Sequence, residues 1–433
     1  MRGLPAAGRT RAGRALALWP LFALIAGPVA AAGEFRLLLD GETGVRNEGD
    51  YGRDPLRGAQ DQAVGRAGLD LQLSYQRERL ELAMGYSPSY ERGFSDPQRL
   101  SGLSHRLDFG LIANLTRRLK LSARERLFSS PTLDLYVPAQ AETTIATRQG
   151  DQLVHSFDVD LENAVSHRVS IRAGVSQGIR EYQGSNLADS REFLGRLGAS
   201  FALDRGQSLE VAADAGRYDY GDRGEADVRT VGLAWATDVG RSSHLRLEGG
   251  AYSVDSTLRF TSVEGEPFFV GSQDQGWRGN AQLSQERRRF RWAVGLAHDV
   301  SPGAGLGRAA QADNVFLGIS TSAVGRQLTL GLDANGSRQR EIADASGLDT
   351  GTDSTLTDYA AGTARASWSF GSSWRLEGGY SRVWQRSRVA PFPDLSYGRY
   401  FLNLAFRIYR TGETPREPER LGEPTTDEQP DAQ

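Results

Sequence analysis

The sequence predicts an all-β fold, a transmembrane antiparallel up-and-down β-barrel of about 18 strands. Three observations predict it. Apolar and polar residues alternate with a period of two through hairpin after hairpin, as in strands whose successive Cβ atoms leave opposite faces. Short turns and long polar loops alternate between the hairpins, the rhythm of barrels that cross a bilayer. After the N-terminus, no apolar run approaches the ~20 residues that a spanning helix needs.

Ser104 to Leu127 shows the unit. Leu107, Phe109, Leu111, Ala113 and Leu115 share one face, and Arg106, Asp108, Gly110 and Asn114 the other, with Ile112 the exception. Thr116, Arg117 and Arg118 form the turn. Leu119, Leu121 and Ala123 then oppose Lys120, Ser122, Arg124 and Arg126.

Residues 1–32 read as a signal peptide: a basic region with Arg2, Arg9, Arg11 and Arg14, an apolar stretch from Ala15 to Val29, and small residues Ala30, Ala31 and Ala32 before Gly33. Its removal takes the net charge from −3 to −7. Residues 33–410 are assigned to the barrel. The strands are marked by Phe35–Val45, Leu69–Tyr75, Leu80–Tyr86 and the hairpin above. They continue with Leu153–Leu161, Val169–Ile179, Phe193–Phe201, Leu209–Ala213, Val231–Val239 and Leu245–Ala251. Trp277–Leu283, Phe290–Leu296, Val315–Ile319 and Leu328–Leu332 follow, then Ala360–Phe370, Trp374–Trp384 and Tyr400–Ile408. Long loops are expected at Asn47–Gln62, Ser87–Leu103, Ser129–Gln152, Ser253–Gln275, Ser301–Ala310 and Ser337–Thr355. Phe268, Phe269 and Val270 give the Ser253–Gln275 segment the makings of an inward plug. An even strand count places both ends in the periplasm. Residues 411–433, rich in Pro, Glu and Thr without apolar periodicity, read as a disordered periplasmic tail.

Composition agrees. A hydrophobic fraction of 39% suits a barrel in which every second residue meets lipid. The near-neutral balance of 51 basic and 54 acidic residues gives no nucleic-acid footprint. The absence of cysteine removes disulfides, thiolate metal sites and covalent haem attachment. Trp277, Phe290, Trp292, Trp374 and Tyr380 stand near strand ends, where aromatic girdles form.

The polar face carries the candidate site, a lumen wall. The candidates are Arg106, Lys120, Arg124, Arg168, Arg172, Arg246, Arg291, Arg365 and Arg375 among cations, and Asp108, Asp160, Glu210, Glu248 and Glu377 among anions. Arg126, Arg196, Arg278, Asp158 and Asp214 share that face. Barrels of ~16–18 strands enclose water, so such charges stay hydrated and can guide a polar solute. The plainer reading is cross-strand ion pairing that stiffens the wall. The signs are near balance, which gives no ion selectivity from composition.

No catalytic residue, cofactor or metal site is expected. His105, His155, His167, His244 and His298 show no metal-ligand spacing. His298 and Asp299 lie near the outer rim, but neighbours in a strand face opposite ways and cannot simply pair.

The run from Leu69 to Leu127 resembles the bacterial outer-membrane barrels called beta-barrel porin 2. Tyr86-Ser87-Pro88-Ser89-Tyr90, Leu100 to Leu107 with His105, and Leu115-Thr116-Arg117-Arg118-Leu119-Lys120-Leu121 carry the likeness. The resemblance implies an 18-strand-like barrel in the outer membrane, often linked with polysaccharide export. The expected function is thus a porin-like channel for a polysaccharide or other polar solutes. A non-conducting scaffold or receptor with a periplasmic partner is the alternative, and a rim hydrolase a more distant one. Expected partners are outer-membrane lipid and a polysaccharide or periplasmic export component, with no nucleic acid.

Overall fold

A computed structural model describes residues 34–49, 62–94, 101–130, 151–183, 189–261, 266–301, 309–323, 327–341, 355–387 and 394–410. The signal-peptide segment and the tail lie outside these residues. The strands are β1 (Glu34–Gly49), β2 (Gln62–Arg77), β3 (Leu80–Gly93), β4 (Gly102–Asn114), β5 (Leu119–Ser130) and β6 (Asp151–Ala164). They continue as β7 (Val169–Gln183), β8 (Ser190–Asp204), β9 (Gln207–Asp219), β10 (Gly224–Asp238), β11 (Ser243–Thr261) and β12 (Pro267–Arg287). The last six are β13 (Phe290–Ser301), β14 (Ala310–Ala323), β15 (Leu328–Glu341), β16 (Thr355–Phe370), β17 (Trp374–Ser387) and β18 (Leu395–Arg410). Each strand pairs antiparallel with the next, and β1 pairs with β18, so the 18-stranded sheet closes on itself. Closure satisfies the backbone without an edge, the requirement for strands in hydrocarbon.

The alternation sets the two faces. Leu197, Leu296, Trp277 and Tyr400 are about 60% exposed and all point outward. At the short-turn rim the outward aromatics form a chain, with Phe370 and Trp374 stacked at 6.4 Å and Trp374 and Phe406 at 5.5 Å. Higher on the same face, Tyr380 and Tyr400 approach to 4.6 Å. Such aromatic belts sit at the bilayer–water interfaces. Tight turns close the short rim. Gly371, at φ 66°, allows the turn from β16 to β17 a left-handed backbone that side chains disfavour.

Two ionisable groups interrupt the outward apolar face of β5 and β6. Glu125 lies between Ala123 and Leu127, and its Oε1 is 3.0 Å from His155 Nε2 on β6. Both side chains are largely buried, at 15% and 18% exposure.

The strands run beyond the apolar stretches that announce them. Ser87 to Gly93 belong to β3, and Arg338 to Glu341 to β15. The expected loop Ser253–Gln275 is mostly strand: β11 and β12 stay in register from Ser253↔Gln275 to Thr261↔Pro267. The Phe268–Val270 segment therefore lies in a tall hairpin and is not the inward plug. Above the apolar band both faces of a strand meet water, so the alternation that marks it fades while the ladder continues.

A different element turns inward. β12 pairs with β13 only from Gly279↔His298 down to Arg287↔Phe290. Above that level β13 and β14 remain paired with each other to Ser301↔Ala310 but leave β12. Ala309 packs into a cluster with Tyr218, Tyr220, Ala226, Val228, Tyr252 and Val254, with Val300 against it. These residues come from the inner side of β9–β11, so the β13–β14 end is tucked inside the barrel. Ala309, Ala310 and Ala312 are at most 4% exposed there, and their small side chains permit the close approach.

Candidate functional site

The inner wall is an aqueous surface of charges in cross-strand contact. On β4 and β5, Arg106 Nε is 2.7 Å from Asp108 Oδ2, and Arg126 Nε is 3.9 Å from Asp108 Oδ1. Lys120 stands opposite Glu162 and Arg124 opposite Asp158. Asp160 stands opposite Ser122 and Gly174. Arg172 lies 3.7 Å from Glu162, and Arg196 bonds Asp158 at 3.2 Å and Ser176 at 2.9 Å. Farther round, Arg365 is 3.3 Å from Asp333, Arg375 faces Ser369 and Ala405, and Glu377 faces Ser367 and Asn403. Arg291 pairs with Glu286 at 2.6 Å beside the short-turn rim.

Arg168 is the exception among the candidate residues. It sits in the turn between β6 and β7, where its carbonyl accepts the Ala202 N–H at 2.8 Å, so it is a rim residue rather than part of the wall. Its place after the turn residue His167 put it one residue short of the strand.

The densest network lies where β13 leaves β12. Arg278 Nη1 reaches Asp214 at 3.3 Å and Thr230 at 2.8 Å, while Nη2 reaches Glu248 at 2.9 Å and Asp299 at 3.3 Å. Arg246 adds Glu210 at 3.0 Å and Glu248 at 3.8 Å. One guanidinium thus gathers carboxylates from β9, β11 and β13. Beside it the Tyr252 hydroxyl donates to Asp274 at 3.1 Å and accepts from the Gln311 side chain of β14. These contacts fasten the tucked end to the neighbouring β9–β12 wall.

Sequence reasoning singled out neither Tyr252 nor Gln311, and it read Asp299 only as a neighbour of His298. Parity alone separates those two. Asp299 faces the lumen, whereas His298 faces outward and bonds Asp313 Oδ1 through Nδ1 at 2.6 Å. The Trp277 ring stacks on His298 at 4.1 Å. No group of three or more potential metal-ligating side chains occurs among the described residues.

Between the tucked end and the wall is a cavity of about 400 Å³, lined by Arg126, Asp158, Glu192, Arg196 and Tyr218 on one side and by Asp299, Val300, Ala312 and Asn314 on the other. Fixed charges of both signs, hydroxyls and a few apolar carbons share it. This lining can hydrate and hydrogen-bond a small polar molecule.

Fold and wall together define the class: a closed, transmembrane-type β-barrel whose polar lumen is narrowed from within. No family model and no curated protein matches the chain. Among solved structures it is similar to OccAB4 of Acinetobacter baumannii, at 11% identity and a TM-score of 0.44 over 87% of this chain and 98% of that one. It is similar to Pseudomonas aeruginosa OccK2 in complex with glucuronate, at 10% identity and a TM-score of 0.44 over 87% and 99%. It is also similar to the siderophore receptor PiuA of Acinetobacter baumannii, at 10% identity and a TM-score of 0.45 over 86% and 82%. Likeness at this level assigns neither a family nor a solute.

Proposed function

We propose that the chain is a diffusion channel for small polar solutes in a bacterial outer membrane. The observation that carries this reading is the cavity between the tucked β13–β14 end and the β5–β9 wall, lined by charges of both signs. An apolar outer face with aromatic rims holds such a barrel in a bilayer. The paired wall charges leave little net field, so the passage would favour size and hydration over the sign of charge. Export of a polysaccharide, the finer reading suggested by the Leu69–Leu127 motifs, would need the tucked end to swing clear of the lumen. A non-conducting scaffold would instead keep that end fixed.

Single-channel recording in planar bilayers tests the proposal, together with swelling of proteoliposomes in neutral sugars of graded size. Discrete conductance steps and entry of monosaccharides, with exclusion of longer oligomers, are expected. A folded barrel that passes neither ions nor monosaccharides overturns it.

A further inference from the structure

We infer that the line along which β12 and β13 part is a lateral opening between lumen and outer leaflet, and that it passes single-chain amphiphiles. The inference goes beyond the proposed aqueous route and shares only the lumen with it.

The backbone carries the argument. Among the described residues, β12 from Pro267 to Arg278 pairs with β11 alone, while β13 above His298 pairs with β14 alone. The neighbouring ladders hold to their ends, at Thr261↔Pro267 and at Ala310↔Glu341. At ~3.3 Å per residue and ~40° of strand tilt, the last pair, Gly279↔His298, lies ~20 Å above the short-turn rim. An apolar band is ~25 Å tall, so the parting begins within its upper part. Backbone groups left unpaired at that depth cost several kcal/mol each unless water or a ligand reaches them. Only the lumen side can supply it.

The side chains grade from wet to oily across the same line. Inside stand Arg278, Asp299, Asp214 and Glu248, one guanidinium among three carboxylates, a polar niche whose net negative charge suits a cationic head group. Outside stand Leu296, 59% exposed, and Trp277, 64% exposed, whose ring lies against His298 like a plate over the base of the gap. His298 is anchored to Asp313, which Arg340 also meets at 3.3 Å. A head group can therefore remain hydrated while an alkyl chain leaves between the strands beside Trp277.

The test uses cells depleted of other porins that express the full chain, and it follows uptake of radiolabelled dodecylammonium and, separately, of a labelled monosaccharide. Trp277→Ala removes the plate and is expected to raise dodecylammonium uptake several-fold, with Trp277→Phe close to the parent. Trp277→Cys with His298→Cys supplies the only thiols, because the chain has no cysteine. Bridging them with a short bifunctional reagent is expected to reduce dodecylammonium uptake to that of cells lacking the protein. Monosaccharide uptake should be the same in all forms, and heat-modifiable gel mobility reports that each is folded. Dodecylammonium uptake that ignores both the plate and the bridge overturns the lateral opening. Monosaccharide uptake by the parent no greater than in cells lacking the protein would instead overturn the aqueous channel.

Discussion

Arg278 Nη2 lies 3.3 Å from Asp299 Oδ2, across the line on which β12 and β13 separate. The same guanidinium holds Asp214, Thr230 and Glu248, so it ties the tucked end of β13 to the wall and neutralises carboxylates from three strands. Arg278→Ala should therefore raise conductance and shift selectivity toward cations. The reversal potential in a KCl gradient reads the second effect, and an unchanged potential would show that these carboxylates do not face the ion path. Asp299→Asn should move selectivity the opposite way.

Tyr252→Phe keeps the ring in its cluster and removes the hydroxyl that meets Asp274 and Gln311. A net contribution of about 1 kcal/mol per hydrogen bond makes this a modest loosening of the tucked end. More frequent excursions to a larger conductance are expected in single-channel records. Records identical to the parent would assign the fastening to the apolar cluster and to Arg278.

Glu125 and His155 form the one described ion pair that interrupts the apolar outer face of β5 and β6. Replacing both with leucine should be neutral or stabilising, since a matched apolar pair carries no desolvation cost. His155→Leu alone strands the carboxylate among Leu127, Phe157 and lipid and should cost about 3 kcal/mol. A double-mutant cycle on urea unfolding in lipid vesicles checks this, and additive single effects would deny the coupling.

Burial pushes the Tyr220 phenol well above its ordinary value of 10.0, and the nearby Tyr218 adds to the shift. Tyr220 lies between β9 and the 3₁₀ turn Gly221–Arg223, above the membrane strands. A raised folded pKa favours the neutral phenol in the native state. Its contribution to stability is complete below pH 10.0 and is lost as the pH rises through the raised value. Absorbance titration near 295 nm should show a late tyrosine component whose amplitude falls by about one tyrosine in Tyr220→Phe. A late amplitude unchanged by the substitution would deny the raised value to Tyr220.

The barrel was legible because lipid enforces a period of two. Leu107, Phe109 and Leu111 must face one way, and Arg106 and Asp108 the other, for the hairpin to span. The upper strand ends were not legible, because no apolar solvent acts on the outward Ser253, Asp255 and Thr257, and the inward Val254 and Leu258 alternate with Ser256. The tucked end was hidden for another reason. Ala309 and Ala310 read as the edge of a Gly-rich loop, and the packing of Ala309 against Tyr218 and Tyr252 depends on strands far away in the chain. Parity places Asp299 and Arg278 on the inner face. It cannot show that Arg278 reaches Asp214, 64 residues distant.

The pairing of β1 with β18 has its own consequence for biogenesis. Arg407 meets Asp40 at 3.3 Å across a sequence separation of 367 residues, so the ring is sealed only when its last strand has been made. Until then a growing sheet presents two bare margins, each a template for any passing strand. A stop codon placed before Leu395 would leave those margins permanently open, and its product belongs in aggregates or in the hands of a protease rather than in the membrane.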